Sequence, residues 1–444
     1  MHPPVASSDG KGQGVFDGVT PYHWLVVVIA SCGWLFDCMD QRLFILARES
    51  ALKELLADDP NALASIKTHI GYATTSMILG WATGGIIFGM MSDRVGRVKT
   101  MVATLLIYSG FTGLSGFAQN WVDFTIYRFL VGLGVGGMFG AATTLVAESV
   151  PGQFRAMALG SLQALSAMGN IMGSLISLWI PPGAESFVGG YAGWRVLFFV
   201  GILPALMVIP IIFVLKEPES WLKAKAAAAA GVLQKGNIGS PVELFRDPRW
   251  RKNTIVGLFL GVSGMIGLWG IGFFSPELIS TALAGAPQNV VDRVRGLGTA
   301  LQDVGAFFGM VTFTIVASFV SRRLAFLGAL LLSMVVTMFV FRSLNSASDA
   351  YWMLPMMGFA QLSVFAGYSI YFPELFPTRL RGTGVGFCYN TVRYLAAPAP
   401  ILFGHLASLM TFRSAAVLMS SVYLVGVVAL IWAPETKGKP LPED

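Results

Sequence analysis

Twelve long apolar runs, separated mostly by short polar connections, constrain the fold of this chain more than any other feature. A run of about 20 apolar residues crosses the ~30 Å hydrocarbon core of a bilayer as an α-helix, in which every backbone polar group is hydrogen-bonded. Only 12% of the 444 residues are charged and 55% are hydrophobic, whereas soluble proteins carry about 25% charged residues. The pattern predicts an all-α integral membrane protein with twelve transmembrane helices. The runs cover approximately residues 24–47, 70–91, 98–117, 121–148, 156–180, 194–215, 253–274, 296–320, 324–342, 351–373, 382–407 and 412–433.

The longest polar connection, residues 216–252, predicts a linker between two six-helix halves, 24–215 and 253–433. Eight of the 30 Lys and Arg residues lie in this linker. Loops rich in Lys and Arg stay in the cytoplasm, so the linker and both tails, 1–23 and 434–444, are predicted to be cytoplasmic. This topological distribution accounts for the formal net charge of +6 and argues against nucleic acid as a partner. No N-x-S/T sequon is present, which favours a bacterial inner membrane.

The two halves contain an internal repeat. Four residues that lie between spans four and five recur between spans ten and eleven, each displaced by 226 residues. Parallel duplication of a six-helix unit, about an axis along the membrane normal, produces such a pattern. The matching sets are Glu148, Pro151, Arg155 and Gly160 in the first half and Glu374, Pro377, Arg381 and Gly386 in the second.

Five segments resemble signatures of the major facilitator superfamily. They read GMMSDRVGRVK (89–99), RFLVGLGVGG (128–137), GWR (193–195), EPESWL (217–222) and PETKGKPL (434–441). The resemblance covers nearly the whole chain. It implies the fold of that superfamily, two pseudo-symmetric six-helix bundles around a central cavity, and secondary transport by alternating access.

Within the superfamily, DCMDQ (37–41) resembles the paired-aspartate signature of metabolite:proton symporters, which include aromatic-acid and sialic-acid carriers. Cys38 stands where that group usually has glycine. In the second half, the loop signature remains only as SRR (321–323), without its acidic residue. The segments EPESWL and PETKG also resemble sugar carriers, so import of a neutral sugar or related metabolite is an alternative.

Charged residues at the loop signature and at the repeat are predicted to form gates. An acidic residue in the short turn between spans two and three can cap a neighbouring helix end and hold one conformation closed; the alternative is that these charges only set topology. The predicted gating residues are Asp93, Arg94, Arg97, Glu148, Arg155, Glu374 and Arg381.

Ionisable residues inside the spans indicate function, because each costs roughly 3 kcal/mol at mid-membrane unless it is paired or hydrated. Asp37 and Asp40 are three residues apart, so both can occupy one face of a helix, and they are predicted to include the proton-coupling carboxylate. Arg128 lies at matching depth and can pair with Asp40. The alternative is a static Asp–Arg lock that only stabilises the fold.

Arg393 and Arg128 are candidates for binding an anionic group of the substrate, since a guanidinium holds a carboxylate with two parallel hydrogen bonds. Tyr389 and Asn390 lie close to Arg393 in sequence and can add polar and stacking contacts. In the alternative interpretation, Arg393 pairs with Asp303 within the second half.

The sequence favours proton-coupled symport of a small organic anion, such as a carboxylate or an acidic sugar, by a monomer in the bilayer. Sodium is the alternative coupling ion, and a non-transporting sensor or receptor is the alternative of a different class. No metal-ligand spacing, phosphate-binding loop or nucleophile–base cluster accompanies the charges. The chain is therefore predicted not to be an enzyme and to use no cofactor.

Overall fold

The computed structural model describes residues 14–58, 61, 66–230, 238–397 and 399–443. Residues 1–13 and 444 of the predicted tails and residues 231–237 of the predicted linker lie outside the described residues. The described residues form helices and no β-strand. The fold is an all-helical bundle of twelve crossings, here numbered α1 to α12.

The first half comprises α1 to α6, and α6 is interrupted by a 3₁₀ turn. The bounds are α1 Pro21–Leu55, α2 Ile66–Val95, α3 Arg97–Ser115, α4 Trp121–Ser149, α5 Gly152–Trp179, and α6 Gly193–Val200 with Leu203–Met207 and Val208–Val214. Two short helices, Glu219–Ala229 and Glu243–Arg246, lie in the linker.

The second half comprises α7 to α12, of which three are segmented. The bounds are α7 Pro248–Met265 with a π turn Ile266–Ile271, a 3₁₀ turn Gly272–Phe274 and Ser275–Ala282, α8 Gln288–Phe319, α9 Arg322–Ser343, α10 Ala347–Leu375, α11 Arg381–Ala396 with Ala399–Leu409, and α12 Phe412–Met419 with Ser420–Val422 and Tyr423–Ala429. The break in α7 contains Trp269, whose ring lies edge-on to that of Trp81 in α2, with 6.3 Å between the ring centres. Such π segments are frequent at functional sites.

Several helix ends differ from the sequence prediction, and contacts at two of them show why. α1 continues to Leu55, about two turns beyond the predicted end, where Glu54 accepts hydrogen bonds from Trp194 and Arg195. α7 begins at Pro248 rather than 253, because Asp247 caps it by accepting from the Arg249 backbone N–H at 2.8 Å. Both extensions are polar helix outside the apolar run, which hydropathy alone does not detect.

Nine helical segments in the described part of the chain are long and apolar enough to cross a membrane. The other three crossings are α3, α5 and α11. α5 and α11 correspond to each other in the repeat, and they pack between the halves, α5 against α8 and α11 against α2, where polar side chains are shielded from lipid. α3 has a row of buried hydroxyl residues, namely Thr100, Thr104, Tyr108, Ser109, Thr112 and Ser115.

The glycines of α4 allow close packing of the first half. A Cβ at Gly132 would lie 2.2 Å from the carbonyl oxygen of Met77, and one at Gly136 would lie 2.1 Å from that of Trp81. Any side chain at these positions would force α2 and α4 apart. Close helix packing therefore explains why glycine stands at these positions, as small residues do at the interfaces of other membrane helices.

Candidate functional site

The first gate joins the halves at the face of the molecule that carries the linker, called here the linker face. Asp93, at the end of α2, accepts hydrogen bonds from the backbone N–H groups of Gly382 (2.9 Å) and Thr383 (2.7 Å) and from the Thr383 hydroxyl (2.7 Å). The carboxylate thereby caps the N-terminus of α11, where unpaired N–H groups favour an anion. Arg97 forms an ion pair with the same carboxylate at 3.2 Å.

Arg97 extends this gate to Glu148 and the second half. Its guanidinium binds Glu148 through two hydrogen bonds, of 2.9 and 3.0 Å, and donates to the Thr378 carbonyl oxygen at 2.8 Å. Arg381 also donates to Glu148. The side chains of Arg97, Glu148 and Arg381 are fully buried at this ion-pair junction, so one carboxylate from the first half holds one arginine from each half.

The second half repeats part of this arrangement. Arg322 binds Glu374 at 3.0 and 3.2 Å, and Arg155 lies within electrostatic range of Glu374. Arg155 donates to the Ala147 carbonyl oxygen at 3.1 Å, and Arg381 donates to the Pro373 carbonyl oxygen at 3.0 Å. In these two bonds, both the donor and the acceptor residues are 226 positions apart.

Asp93 has no acidic counterpart in the second half. Arg97 and Arg322 correspond with a displacement of 225 residues, since their Nη1 atoms donate to the carbonyl oxygens of Ser92 and Ala317, and the same displacement makes Ser318 the counterpart of Asp93. Ser318 has no carboxylate with which to cap α5 as Asp93 caps α11. The linker face is therefore closed asymmetrically, with the stronger polar contact on the side of α2 and α11.

Two further carboxylates support the gate from the linker and the tail. Glu217 accepts from the backbone N–H groups of Arg97 (2.7 Å) and Val98 (3.0 Å) at the start of α3. Glu435 accepts from the Arg322 backbone N–H (3.2 Å) and the Ser321 hydroxyl at the start of α9. These contacts give structural roles to the segments EPESWL and PETKGKPL. Glu217 and Glu435 were not among the predicted gating residues.

The remaining predicted gating residue, Arg94, is exposed and contacts the linker. Its Nε donates to the carbonyl oxygen of Ile238 at 3.2 Å. It differs from Asp93 and Arg97 in that it does not join the buried network.

Asp303 of α8 pairs with Arg42 of α1 at 2.5 Å. The alternative pairing of Asp303 with Arg393 is therefore absent from this structure. The observed ion pair joins the two halves at a level well away from the linker face. Both side chains are partly exposed, at 21% for Arg42 and 14% for Asp303.

Asp37 and Asp40 are fully buried in the first half. None of their four carboxylate oxygens has a hydrogen-bond partner among the described residues. Asp40 lies beside Thr112 of α3 and within electrostatic range of Arg128, but no ion pair within 4 Å forms between these charges in the described part of the chain. The predicted Asp40–Arg128 pair is thus not formed in this conformation.

Arg128 lies in an aromatic pocket of the first half. Its guanidinium carbon is 4.7 Å from the ring centre of Phe198, 5.4 Å from that of Phe44 and 5.8 Å from that of Phe124. It donates to the Ser115 hydroxyl. These contacts come from α1, α3, α4 and α6, so the structure places Arg128 within the first bundle and apart from Arg393.

Arg393 lies between the halves. Its guanidinium carbon is 3.9 Å from the ring centre of Trp81 in α2 and 4.5 Å from that of Tyr389. It donates to the Tyr389 carbonyl oxygen (2.7 Å) and to the Asn390 side chain (2.9 Å). Tyr389 stacks on Phe139 of α4 at 3.9 Å. Three of the residues predicted to bind substrate therefore lie together, surrounded by aromatic rings from both halves.

Arg393 is 3% exposed, its Nε has no hydrogen-bond partner among the described residues, and no carboxylate of those residues lies within 4 Å of it. Trp81 and Phe139, which complete this site, were not among the residues predicted to bind substrate. An apolar residue in a membrane span gives no sequence signal that separates a binding-site ring from a packing ring.

Comparisons with known proteins agree with this architecture. The model of the Major Facilitator Superfamily matches residues 35–399. The cis,cis-muconate transport protein of Acinetobacter baylyi is 29% identical over 388 residues, which cover 85% of this chain and 90% of that protein. The sialic acid transporter NanX of Escherichia coli is 29% identical over 387 residues, which cover 86% and 87%.

A solved structure has a similar fold. The proton:xylose symporter XylE, bound to 6-bromo-6-deoxy-D-glucose, has a TM-score of 0.77 at 19% sequence identity, with 95% of this chain and 98% of that chain covered. At that identity the likeness establishes the fold alone, whereas the family match spans most of the sequence. The chain belongs to the Major Facilitator Superfamily and is a multi-pass membrane transporter, not an enzyme.

Proposed function

We propose that this transporter is a proton-coupled symporter that imports a small organic anion by alternating access. The observation that carries the proposal is the position of Arg393, a buried guanidinium between the two halves with no carboxylate among the described residues within 4 Å. An uncompensated buried charge is costly. A carboxylate of the substrate would compensate it, while the adjacent rings hold the body of the substrate.

The neighbours of Arg393 suit such a ligand. The guanidinium is already oriented by Tyr389 and Asn390 and stacked on Trp81, so little side-chain freedom remains to be lost on binding. The relatives point to the same chemistry, because muconate and sialic acid are both organic acids.

Asp37 and Asp40 are the proposed coupling carboxylates, with sodium as the alternative coupling ion. Both are buried and neither forms an ion pair within 4 Å among the described residues. Such a group binds or releases a proton when its hydration or its distance to Arg128 changes. Movement between the two access states would alter both, which makes the proton load dependent on conformation.

The gate at the linker face supports alternating access. In this conformation Asp93, Glu148 and Arg381 join the two halves there, so the substrate site is closed toward that face. Because the linker is rich in Lys and Arg, we assign this face to the cytoplasm of a bacterial inner membrane. The structure then represents a state closed toward the cytoplasm, in which substrate arrives from the opposite side.

The test is uptake into proteoliposomes with an imposed inward proton gradient and a panel of radiolabelled carboxylates, acidic sugars and neutral sugars. We expect accumulation of an acid that a protonophore abolishes and that Asp37→Asn or Asp40→Asn prevents. Undiminished gradient-driven accumulation in both variants would refute the coupling assignment. Accumulation of a neutral sugar alone would refute the anion assignment, and a requirement for sodium would replace the proton.

A further inference from the structure

α3 is a peripheral helix of the first half, yet it presents hydroxyl groups to the proposed coupling carboxylates. Tyr108, Ser109 and Thr112, called here the α3 hydroxyl face, are each 0% exposed. Their spacing of one and then three residues places them on one side of the helix. Tyr108 lies within electrostatic range of both Asp37 and Asp40, so this side is directed toward α1.

The polar atoms of this cluster are not satisfied by one another. The three hydroxyls of the α3 hydroxyl face have no hydrogen-bond partner among the described residues, and neither do the oxygens of Asp37 and Asp40. Thr112 lies beside Asp40, and Tyr108 beside Ser109, without hydrogen-bond geometry. An unsatisfied buried polar group is destabilising, because it has lost its hydrogen bonds to water without replacement. Five such groups, three hydroxyls and two carboxylates, lie together in this region.

The packing of α6 shows that Thr112 and Asp40 lie next to each other. Gly201 of α6 is in close contact with both, since a Cβ there would lie 3.1 Å from Asp40 Oδ1 and 2.3 Å from Thr112 Cγ2. Arg128 adds its Nε and Nη1, which also have no partner among the described residues. Donors and acceptors from three helices therefore converge on one region, which meets the requirement of two to four polar partners for a buried water molecule.

We propose that the α3 hydroxyl face holds water molecules between α1 and α3, and that this water connects Asp37 with Asp40 and carries the proton they exchange. A proton moves along such a chain by transfer from one oxygen to the next, so no bond to carbon changes and no co-reactant is needed. α3 thereby contributes positioning residues to the coupling site. The proposal rests on the proposed function, in which Asp37 and Asp40 are the coupling carboxylates.

Other charged and titratable groups also face the pair. Arg128 faces Asp40 from α4, and Cys38 lies between the two aspartates on α1. The ion pair of Arg42 with Asp303 of α8 lies within electrostatic range of Cys38. These residues are left unchanged in the variants below, so that a change in the pH profile reports on the α3 hydroxyl face.

The first measurement detects the water directly. In radiolytic hydroxyl labelling of the purified transporter, a buried side chain is modified when bound water lies beside it. We expect Tyr108 to be labelled several times faster than Tyr368, which is also 0% exposed but donates its hydroxyl to the Leu260 carbonyl oxygen at 2.7 Å. Equal labelling of the two tyrosines would overturn the proposal.

The second measurement tests the role in coupling. Thr112→Val keeps the shape of the side chain and removes the hydroxyl. Thr104→Val is the matched control, two turns earlier on α3, because the Thr104 hydroxyl already donates to the Met101 carbonyl oxygen at 3.0 Å. We expect Thr112→Val, and likewise Tyr108→Phe, to slow gradient-driven uptake about tenfold and to shift its pH profile, with substrate affinity unchanged.

The outcomes separate this inference from the proposed function. If Thr112→Val has the same pH profile as Thr104→Val while Asp37→Asn and Asp40→Asn abolish coupling, the function stands and the inference is overturned. If both Asp→Asn variants retain coupling, the function itself is refuted. The labelling of Tyr108 relative to Tyr368 does not depend on transport and is measured in either case.

Discussion

Thr383 donates two hydrogen bonds to Asp93, one from its backbone N–H and one from its hydroxyl, both at 2.7 Å. The contact crosses between the two halves, and Arg97 adds an ion pair on the other side of the carboxylate. Charge-assisted hydrogen bonds are about twice as strong as neutral ones. This contact is therefore a main source of closure at the linker face.

Asp93→Asn should favour the state that is open toward the linker face. An amide has one acceptor oxygen and no charge, so about 1.5–3 kcal/mol of closure is lost, and the ratio of closed to open states falls by roughly 10- to 100-fold. Distances between spin labels on the linker-face ends of α4 and α10 would measure this ratio of closed to open states. Arg94→Gln is the control, since Arg94 is exposed and donates to a linker carbonyl oxygen, that of Ile238. An equal shift in that variant would contradict the prediction.

Breaking the Arg42–Asp303 pair should have the opposite effect. This pair joins α1 and α8 away from the linker face, so Asp303→Asn is expected to favour opening of that opposite side. In a double-mutant cycle with Arg42→Gln, a direct pair of this burial should show a coupling energy of about 1–3 kcal/mol. Substrate binding from the two sides of oriented vesicles provides the measurement. Additive effects of the two substitutions would show that the ion pair does not contribute.

Combining Asp93→Asn with Asp303→Asn offers a further check on both assignments. Since each substitution weakens closure at a different face, the double variant should return the ratio of the two states toward that of the unmodified protein. A double variant more open toward the linker face than Asp93→Asn alone would show that Asp303 does not stabilise closure of the opposite face.

Much of the fold could be predicted from the sequence, because the length of the apolar runs and the 226-residue repeat are visible without knowing which helix faces meet. The repeat located Glu148 and Arg381, and the structure brings these two residues together across the halves. The sequence also grouped Arg393 with Tyr389 and Asn390, since all three lie within one helical turn and a half.

What the sequence did not reveal depends on helix rotation. The sequence offered Arg393 as a partner for Asp303, whereas the rotation of α1 and α8 brings Arg42 to it instead. Asp40 and Arg128 lie at matching depth without pairing, because Arg128 is held by aromatic rings and Ser115. The hydroxyls of α3 had no distinguishing pattern, since Ser and Thr are common in membrane helices and gain meaning only from what they face.

Glu435 should stabilise the protein in a pH-dependent way. Partial burial raises the pKa of this carboxyl, but hydrogen bonds from Ser321 and from the backbone N–H groups of Lys437, Arg323 and Arg322 lower it, so that the net pKa is below the ordinary value. A lowered pKa in the folded state means that the charged form stabilises the fold above the unfolded-state pKa of about 4.3. This contribution is lost as the pH falls through the folded-state value.

Glu435→Gln should therefore lower the melting temperature at neutral pH and have little effect at pH values below the folded-state pKa. Because the group is only partly buried, solvent screens its interactions, and the loss should be about 1 kcal/mol or less. Thermal unfolding in detergent as a function of pH measures it, and Glu443→Gln, an exposed tail carboxylate, is the control. A destabilisation that persists unchanged at low pH would point to packing and not to charge.

Arg393→Lys tests whether the substrate site needs the guanidinium or only a positive charge. Lysine keeps the charge but loses the planar contact with Trp81 at 3.9 Å and the paired donors that match a carboxylate. Affinity for an anionic substrate should fall about 10- to 100-fold in Arg393→Lys and further in Arg393→Ala. Arg413→Lys is a suitable control, because Arg413 donates to backbone carbonyl oxygens of Arg342 and Leu344 elsewhere in the same half. Calorimetric binding to protein that elutes as a single species would measure the change, and unaltered affinity in Arg393→Ala would place the substrate anion elsewhere.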